Sequence, residues 1–135
     1  MSKSRGAFAA LFLLAGLVLV TGCFLLPNRP PVAAFVVHYN VTGDPLVVEF
    51  DASTSSDPDD GDAIVEYKWT FGEDAEILSP LEYSATVYVA QVLVRYPVEG
   101  AYSVQLVVYD EQDVASENVA TAELILPSIP VVPMP

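Results

Sequence analysis

The chain has 135 residues and a formal net charge of −13, with 18 acidic side chains against five basic ones. Nucleic-acid recognition draws on clusters of Lys and Arg, so this composition excludes a nucleic-acid partner. The single histidine and single cysteine supply neither a zinc site nor the base and nucleophile of a hydrolytic triad, and we expect no enzyme activity. One cysteine cannot form an intramolecular disulfide, so the fold has to rest on its core.

The N-terminal segment has the layout of a secretory signal. Two basic residues precede an apolar stretch, 7–20, which is shorter than the ~20 residues that a membrane-spanning helix needs. Residues 20–23, Val-Thr-Gly-Cys, resemble a bacterial lipobox. We therefore expect residues 1–22 to be removed as a signal peptide and Cys23 to carry a covalent lipid, with fatty acids such as palmitate as its acyl chains.

The lipobox resemblance also predicts a location. Residues 23–30 contain two prolines, Pro27 and Pro30, and are expected to form a short, stiff, lipidated tether. The protein would then be anchored to a membrane of the cell envelope, outside the cytoplasm. In a bacterium with two membranes the outer one is favoured, because Phe24 stands where an aspartate retains lipoproteins in the inner membrane.

Apolar residues alternate with polar ones along most of the remaining chain. The alternation is regular over 46–52, 65–71 and 102–108, and looser over 86–96 and 116–126. A period of two residues predicts half-buried β-strands. About six or seven such strands, separated by turns rich in Gly, Asp and Pro, predict an all-β fold, an immunoglobulin-like antiparallel β-sandwich.

Two aromatic residues make the sandwich more specific. Trp69 lies midway along the predicted third strand, where immunoglobulin-like domains bury a tryptophan between their sheets. Tyr102 begins a late strand and matches a tyrosine corner, whose hydroxyl bonds back to the backbone. We place the domain at residues 31–126, followed by a Pro-rich tail, 127–135, in which a sheet cannot continue.

Several stretches of the chain together resemble the signature of a PKD domain. They are Pro31–Phe35, Val48–Ser53, Ser55–Gly61, Ile64–Trp69, Tyr96–Pro97 and Gly100–Val104 with Asp110. The resemblance implies an immunoglobulin-like extracellular module that serves spacing, adhesion, or contact with protein or carbohydrate. The family usually has Trp-Asp-Phe-Gly-Asp-Gly after the third strand, whereas this chain has Thr70 for the first Asp and Glu73-Asp74 for Asp-Gly. We therefore expect a different turn there.

Calcium is a possible cofactor at the acidic run 57–62. Calcium takes about six to eight oxygen ligands, which carboxylates and carbonyls on a tight loop can supply. The candidate ligands are Asp57, Asp59 and Asp60, and the resemblance adds Asn28, because some PKD domains bind calcium with an asparagine before the first strand. The run lacks EF-hand spacing, and its Asp, Pro and Gly are also what a turn needs, so a solvated turn is the favoured alternative.

A second candidate surface is the segment 73–83, which is longer than usual for the family. Four apolar residues, Ile77, Leu78, Leu81 and Tyr83, are interspersed among acidic residues there. Apolar side chains on an acidic loop predict a contact surface. The favoured alternative is a loop that folds back over a sheet edge.

Two functions of different classes remain. The first is a lipid-anchored envelope protein that presents one PKD-like domain for adhesion, or for contact with a protein or a glycan. The second is a non-catalytic spacer or accessory subunit of an envelope complex. In both cases the lipid on Cys23 makes the membrane a partner.

Overall fold

The computed structural model describes residues 26–81, 86–87 and 89–128, which form eight β-strands and no helix. The described part of the chain accordingly contains no apolar helix long enough to cross a membrane. The strands are β1 (Val36–Tyr39), β2 (Val47–Asp51), β3 (Ile64–Thr70), β4 (Glu76–Ser79), β5 (Thr86–Val87), β6 (Gln91–Arg95), β7 (Gly100–Asp110) and β8 (Ala120–Leu126).

The strands form two antiparallel sheets of four strands each. The first sheet has the order β1-β2-β6-β4, and the second has the order β5-β3-β7-β8. The predicted all-β sandwich is confirmed. The last strand ends at Leu126, directly before Pro127, as the proline content of the tail predicted.

The core lies between the two sheets and follows from the alternation of the sequence. Val48 and Phe50 of β2 are fully buried, as are Val104 and Leu106 of β7 on the opposite sheet. Trp69 of β3 is buried at the centre of an aromatic cluster, where its ring lies 5.1 Å from Phe35 and 5.5 Å from Phe71. The predicted position of Trp69 is confirmed.

The two ends of the sandwich differ in composition. We call one end the acidic pole; it comprises the loops 52–63 and 111–119, which join β2 to β3 and β7 to β8. We call the other end the aromatic pole; it comprises the loops 40–46, 71–75 and 96–99. Strand β7 runs the whole way between them, and its eleven residues span ~33 Å at about 3.3 Å per residue.

Two tyrosines close the aromatic pole. The Tyr102 hydroxyl donates to the carbonyl of Val98 at 2.7 Å, which confirms the predicted tyrosine corner. The Tyr96 hydroxyl donates to the carbonyl of Phe71 at 2.9 Å, and the two tyrosine rings lie 4.2 Å apart. Gly72 has a positive φ of 98°, and a Cβ there would lie 3.4 Å from the Tyr102 ring, so this turn requires glycine.

Part of the segment 73–83 is a strand rather than the loop over a sheet edge that the sequence favoured. Residues 76–79 form β4, an edge strand that pairs with β6. Ile77 points into the core and is 7% exposed, so the prediction that it contributes to a contact surface is wrong. The physical reason is that the apolar residue of an edge strand faces the sandwich interior, as the alternative of a segment covering a sheet edge implied.

Some predictions concern residues outside the described ranges. The signal peptide, Cys23, Tyr83 and residues 129–135 of the Pro-rich tail belong to this group.

Candidate functional site

The chain enters the domain along the acidic pole, bound to both of its loops. Val32 exchanges two backbone hydrogen bonds with Ser56, of 2.8 and 3.0 Å. On the other side, the backbone of Ala33 both donates to and accepts from the side-chain amide of Asn118, each time at 2.8 Å. The entering segment therefore links the 52–63 loop to the 111–119 loop.

Asn28 extends this connection to a buried carboxylate. Its side-chain amide donates to Asp110 Oδ2 at 2.6 Å. The other oxygen, Asp110 Oδ1, accepts from the backbone N–H groups of Gln112 at 2.9 Å and Val114 at 2.8 Å. Asp110 is 1% exposed, and these three donors satisfy its charge.

The surroundings of Asp110 favour its charged form. Burial by itself raises the pKa of this carboxyl, but the hydrogen bonds from Asn28, Val114 and Gln112 outweigh burial and hold the pKa below its usual value. Asp110 is therefore a structural anion at neutral pH. The sequence carries a signal for the burial of Asp110. This residue follows Leu106 and Val108 at a spacing of two, so it faces inward at the end of β7.

Arg29 makes a second attachment to the acidic pole. Its Nε donates to Asp59 Oδ1 at 2.6 Å, its backbone N–H donates to Asp59 Oδ2 at 2.7 Å, and Nη2 donates to the carbonyl of Pro58. The backbone and side-chain bonds from Arg29 hold the pKa of Asp59 below its usual value. Asn28 and Arg29 were predicted to be part of the tether, but both are bound to the domain.

The acidic run brings three carboxylates together. One oxygen each from Asp57, Asp59 and Asp62 lies within 4.8 Å of the other two, and we call these residues the carboxylate trio. Asp60, a predicted ligand, is exposed and lies outside the trio. Asp62 takes its place and was missed, because its position in the run does not show which way its side chain points.

The trio has features both for and against a cation. Asp57 Oδ1 accepts from the backbone N–H of Asp59 at 2.8 Å, whereas Asp57 Oδ2 is buried and has no hydrogen-bond donor among the described residues. A buried unpaired carboxylate oxygen fits a cation ligand. The Arg29 guanidinium already neutralises Asp59. A half-turn of the Gln112 side-chain amide, which exchanges its O and N, places its nitrogen 2.5 Å from Asp62 Oδ2 as a donor.

An open groove of about 580 Å³ runs beside the trio. Its lining includes Leu26, Asn28, Arg29 and Asp62. Most of its lining residues are polar or charged, unlike the mostly apolar residues that line small-molecule pockets. The groove is therefore part of the charged surface of the acidic pole.

The second candidate surface lies on the outer face of the first sheet. A shallow groove of about 380 Å³ is lined by Glu49, Pro80 and Leu93, among others. Leu81, directly after Pro80, is 86% exposed, whereas Leu78 in β4 is half-buried. Among the predicted contact residues that the structure describes, Leu81 thus has the most exposed side chain.

His38 lies in β1 with an exposed side chain. Its strand neighbour on β2 is Glu49.

Comparison with known proteins identifies the family. A model of the PKD domain matches residues 28–125. The chain belongs to the PKD domain family. The match begins at Asn28, where the contacts with the acidic pole also begin. No curated protein matches the chain.

Solved structures agree with this assignment. The PKD1 domain of Vibrio anguillarum Epp is 25% identical, with a TM-score of 0.53, and the match covers 73% of this chain and 95% of that domain. The PKD1 domain from the Vibrio cholerae metalloprotease PrtV is 28% identical, with a TM-score of 0.52 and coverage of 72% and 96%. PKD domains are generally non-catalytic modules.

A third similar structure concerns the promiscuous specificity of carbohydrate-binding modules from the β-sandwich superfamily. It is 29% identical over 74% of this chain and 35% of that one, with a TM-score of 0.55. The family and these similarities support a binding or adhesion-type module.

Proposed function

We propose that this protein is a lipid-anchored component of a bacterial cell envelope, whose PKD domain contacts a protein or a carbohydrate outside the cytoplasm. The observation that carries the proposal is the family match over residues 28–125, together with the similarity to carbohydrate-binding modules of the β-sandwich superfamily. We place the contact at the outer groove beside Leu81, because an apolar side chain 86% exposed next to a groove favours binding.

The contact is tested with the purified protein against cell-wall and matrix polysaccharides and solubilised envelope proteins. We expect binding to one class of ligand, and we expect Leu81→Ser to weaken it. Val119→Ser is the matched control, since Val119 is 54% exposed at the acidic pole, away from the groove. Equal binding by both variants and the unchanged protein would show that Leu81 does not belong to the contact surface.

The lipid anchor is tested at Cys23. We expect mass spectrometry of the mature N-terminal peptide to show diacylglycerol and a fatty acid on this residue, since two or three acyl chains are needed for stable anchoring. Cys23→Ala should leave an unprocessed or released protein without lipid. Unchanged protein that stays in the membrane through carbonate extraction with no lipid on Cys23 would contradict the lipid anchor and favour a membrane span.

The alternative function is a spacer or an accessory subunit of an envelope complex. Its prediction is a single defined protein partner recovered with the chain from solubilised envelope, unaffected by added glycans. Competition by a polysaccharide would argue against it.

Calcium binding is a second candidate activity, favoured by the buried Asp57 Oδ2 of the carboxylate trio, which has no hydrogen-bond donor in the described part of the chain. Asp57, Asp59 and Asp62 would hold the ion, and Arg29 would have to share or release Asp59. We expect calcium to raise the melting temperature and Asp57→Asn to abolish the rise. Melting that is the same in calcium and in chelator would contradict this candidate.

A further inference from the structure

The attachment of Asn28 and Arg29 to the acidic pole constrains how the PKD domain stands on a membrane. We call these two residues the N-terminal clamp. They make four hydrogen bonds to Pro58, Asp59 and Asp110, so the chain is fixed to the domain from Asn28 onward. The following inference rests on the proposed lipid anchor at Cys23.

The clamp leaves little chain between the lipid and the domain. Five residue steps separate Cys23 from Asn28, which reach at most ~17 Å at about 3.5 Å per residue, whatever their conformation. Without the clamp the next fixed residue is Pro31, whose carbonyl accepts from Glu117, and the reach grows to ~28 Å. Both reaches are shorter than the ~33 Å of the sandwich along β7, so the domain cannot turn over completely in either case. The longer reach lets the domain tilt further toward the bilayer, and the clamp therefore limits its tilt.

Charge argues against the domain lying on its side. After removal of the signal, three basic side chains remain, Arg29, Lys68 and Arg95. Arg29 is paired with Asp59, and Arg95 lies 3.8 Å from Asp44 and 3.5 Å from Glu76. Lys68 lies on the outer face of the second sheet, over the ring of Tyr109, and no described acidic residue forms a salt bridge with it. No described face is basic, so an anionic bilayer repels both sheet faces within about a Debye length of ~8 Å.

We infer that the N-terminal clamp holds the acidic pole next to the bilayer and directs the aromatic pole outward. The tether is the attractive link, while repulsion between the acidic domain and anionic lipid extends the domain away from the surface. The surfaces open to partners are then the aromatic pole and the two sheet faces, including the outer groove beside Leu81. The acidic pole faces lipid.

The orientation is measurable because the mature chain has no thiol other than Cys23, which a lipid occupies. A single cysteine is introduced as Asp60→Cys at the acidic pole or as Val98→Cys at the aromatic pole, where Val98 is 62% exposed. Each lipidated protein is labelled with a fluorescent donor and reconstituted into anionic phosphatidylglycerol vesicles with an acceptor on the lipid headgroups. We expect energy transfer from position 60 to exceed that from position 98 by more than about twofold over ~30 Å.

Two changes should reduce this difference. The double variant Asn28→Ala, Arg29→Ala removes the three side-chain bonds of the clamp and leaves only the backbone bond of residue 29. Arg95→Ala is its matched control because it removes an arginine with acidic neighbours at the other end. Should the clamp variant fold poorly, a Gly-Ser segment of about ten residues inserted between Leu26 and Pro27 lengthens the tether and leaves the clamp intact. We expect the double variant and the insertion to bring the two transfer values closer to each other, and Arg95→Ala to leave their difference unchanged.

The outcomes separate the orientation from the anchor. Equal transfer from the two positions in protein that floats with the vesicles would overturn the orientation and leave the anchor standing. Protein that does not float, with label attached at Cys23, would overturn the lipid anchor and the orientation with it. A difference that survives both the clamp variant and the insertion would show that the clamp does not set the orientation.

Discussion

The acidic pole and the aromatic pole hold their loops in place through different kinds of interaction. Each must fix loops across an open end of the sandwich. At the acidic pole the bonds come from charged and amide side chains, with Asp110 accepting three hydrogen bonds and Arg29 paired with Asp59. At the aromatic pole two packed tyrosine rings carry hydroxyls that bond to backbone carbonyls.

Because of this difference, the stability of the two ends should respond differently to pH and salt. Bonds to carboxylates depend on pH and salt, whereas buried aromatic area and neutral hydroxyl bonds do not in the acidic range. Burial also raises the pKa of Tyr96, so its hydroxyl stays neutral in mildly alkaline solution. The aromatic pole should therefore stay closed under conditions that open the acidic pole.

The largest expected effect comes from removing the aromatic ring that fills the aromatic pole. Tyr96→Ala should lower the free energy of unfolding by about 3 to 5 kcal/mol, because truncating a fully buried aromatic residue leaves a cavity. Urea denaturation followed by Trp69 fluorescence measures it. Tyr39→Ala is the control, since Tyr39 is 37% exposed and should change stability little. Similar losses in both variants would contradict the central role of Tyr96.

An intermediate effect is expected at the acidic pole from Asp110→Asn. The amide cannot accept from Asn28, Gln112 and Val114 as the carboxylate does, and the free energy of unfolding should fall by about 1 to 3 kcal/mol at neutral pH. The pKa of Asp110 is lower in the folded state, so unfolding takes up a proton in acid. The stabilisation by the carboxylate is therefore full above the usual Asp pKa of about 3.9 and is lost as pH falls through the lower folded-state value.

The measurement is a series of denaturation curves between neutral pH and about pH 2.5. The difference between the unchanged protein and Asp110→Asn should shrink as the pH falls. Asp113→Asn is the matched control in the same loop, because Asp113 is exposed and asparagine tolerates its positive φ of 63°. If the difference in unfolding free energy stays constant with pH, the charge of the Asp110 carboxylate is not its cause.

The sequence predicted the aromatic half of this comparison better than the acidic half. Tyr102 and Trp69 occupy positions that the alternation of apolar residues defines, so local pattern determined their surroundings. The acidic run was recognised, but Asp62 rather than Asp60 joins Asp57 and Asp59, because side-chain direction in an irregular loop depends on tertiary contacts. Asn28 was connected with calcium, whereas its amide bonds to Asp110, 82 residues later in the chain.

The segment 73–83 shows a related limit. A short run such as Glu76–Ser79 has too few residues to display a period, so its pairing with β6 was not visible. Burial of Ile77 follows from that pairing alone. The position of Asp62 and the burial of Ile77 both depend on contacts between distant parts of the chain, and the local sequence pattern does not show these contacts.

The smallest expected effect comes from removing a single hydroxyl group at the aromatic pole. Tyr102→Phe removes the bond to the Val98 carbonyl but keeps the packed ring, and should lower the free energy of unfolding by about 0.5 to 1.5 kcal/mol. Tyr109→Phe on the outer face of the same strand is the control and should have less effect. Because this bond involves no carboxylate, its loss should have the same effect at pH 7 and at about pH 3.5, unlike the loss of the Asp110 carboxylate. An effect of Tyr102→Phe that fades in acid would mean that the two poles open together, and that the difference in their chemistry does not separate their stability.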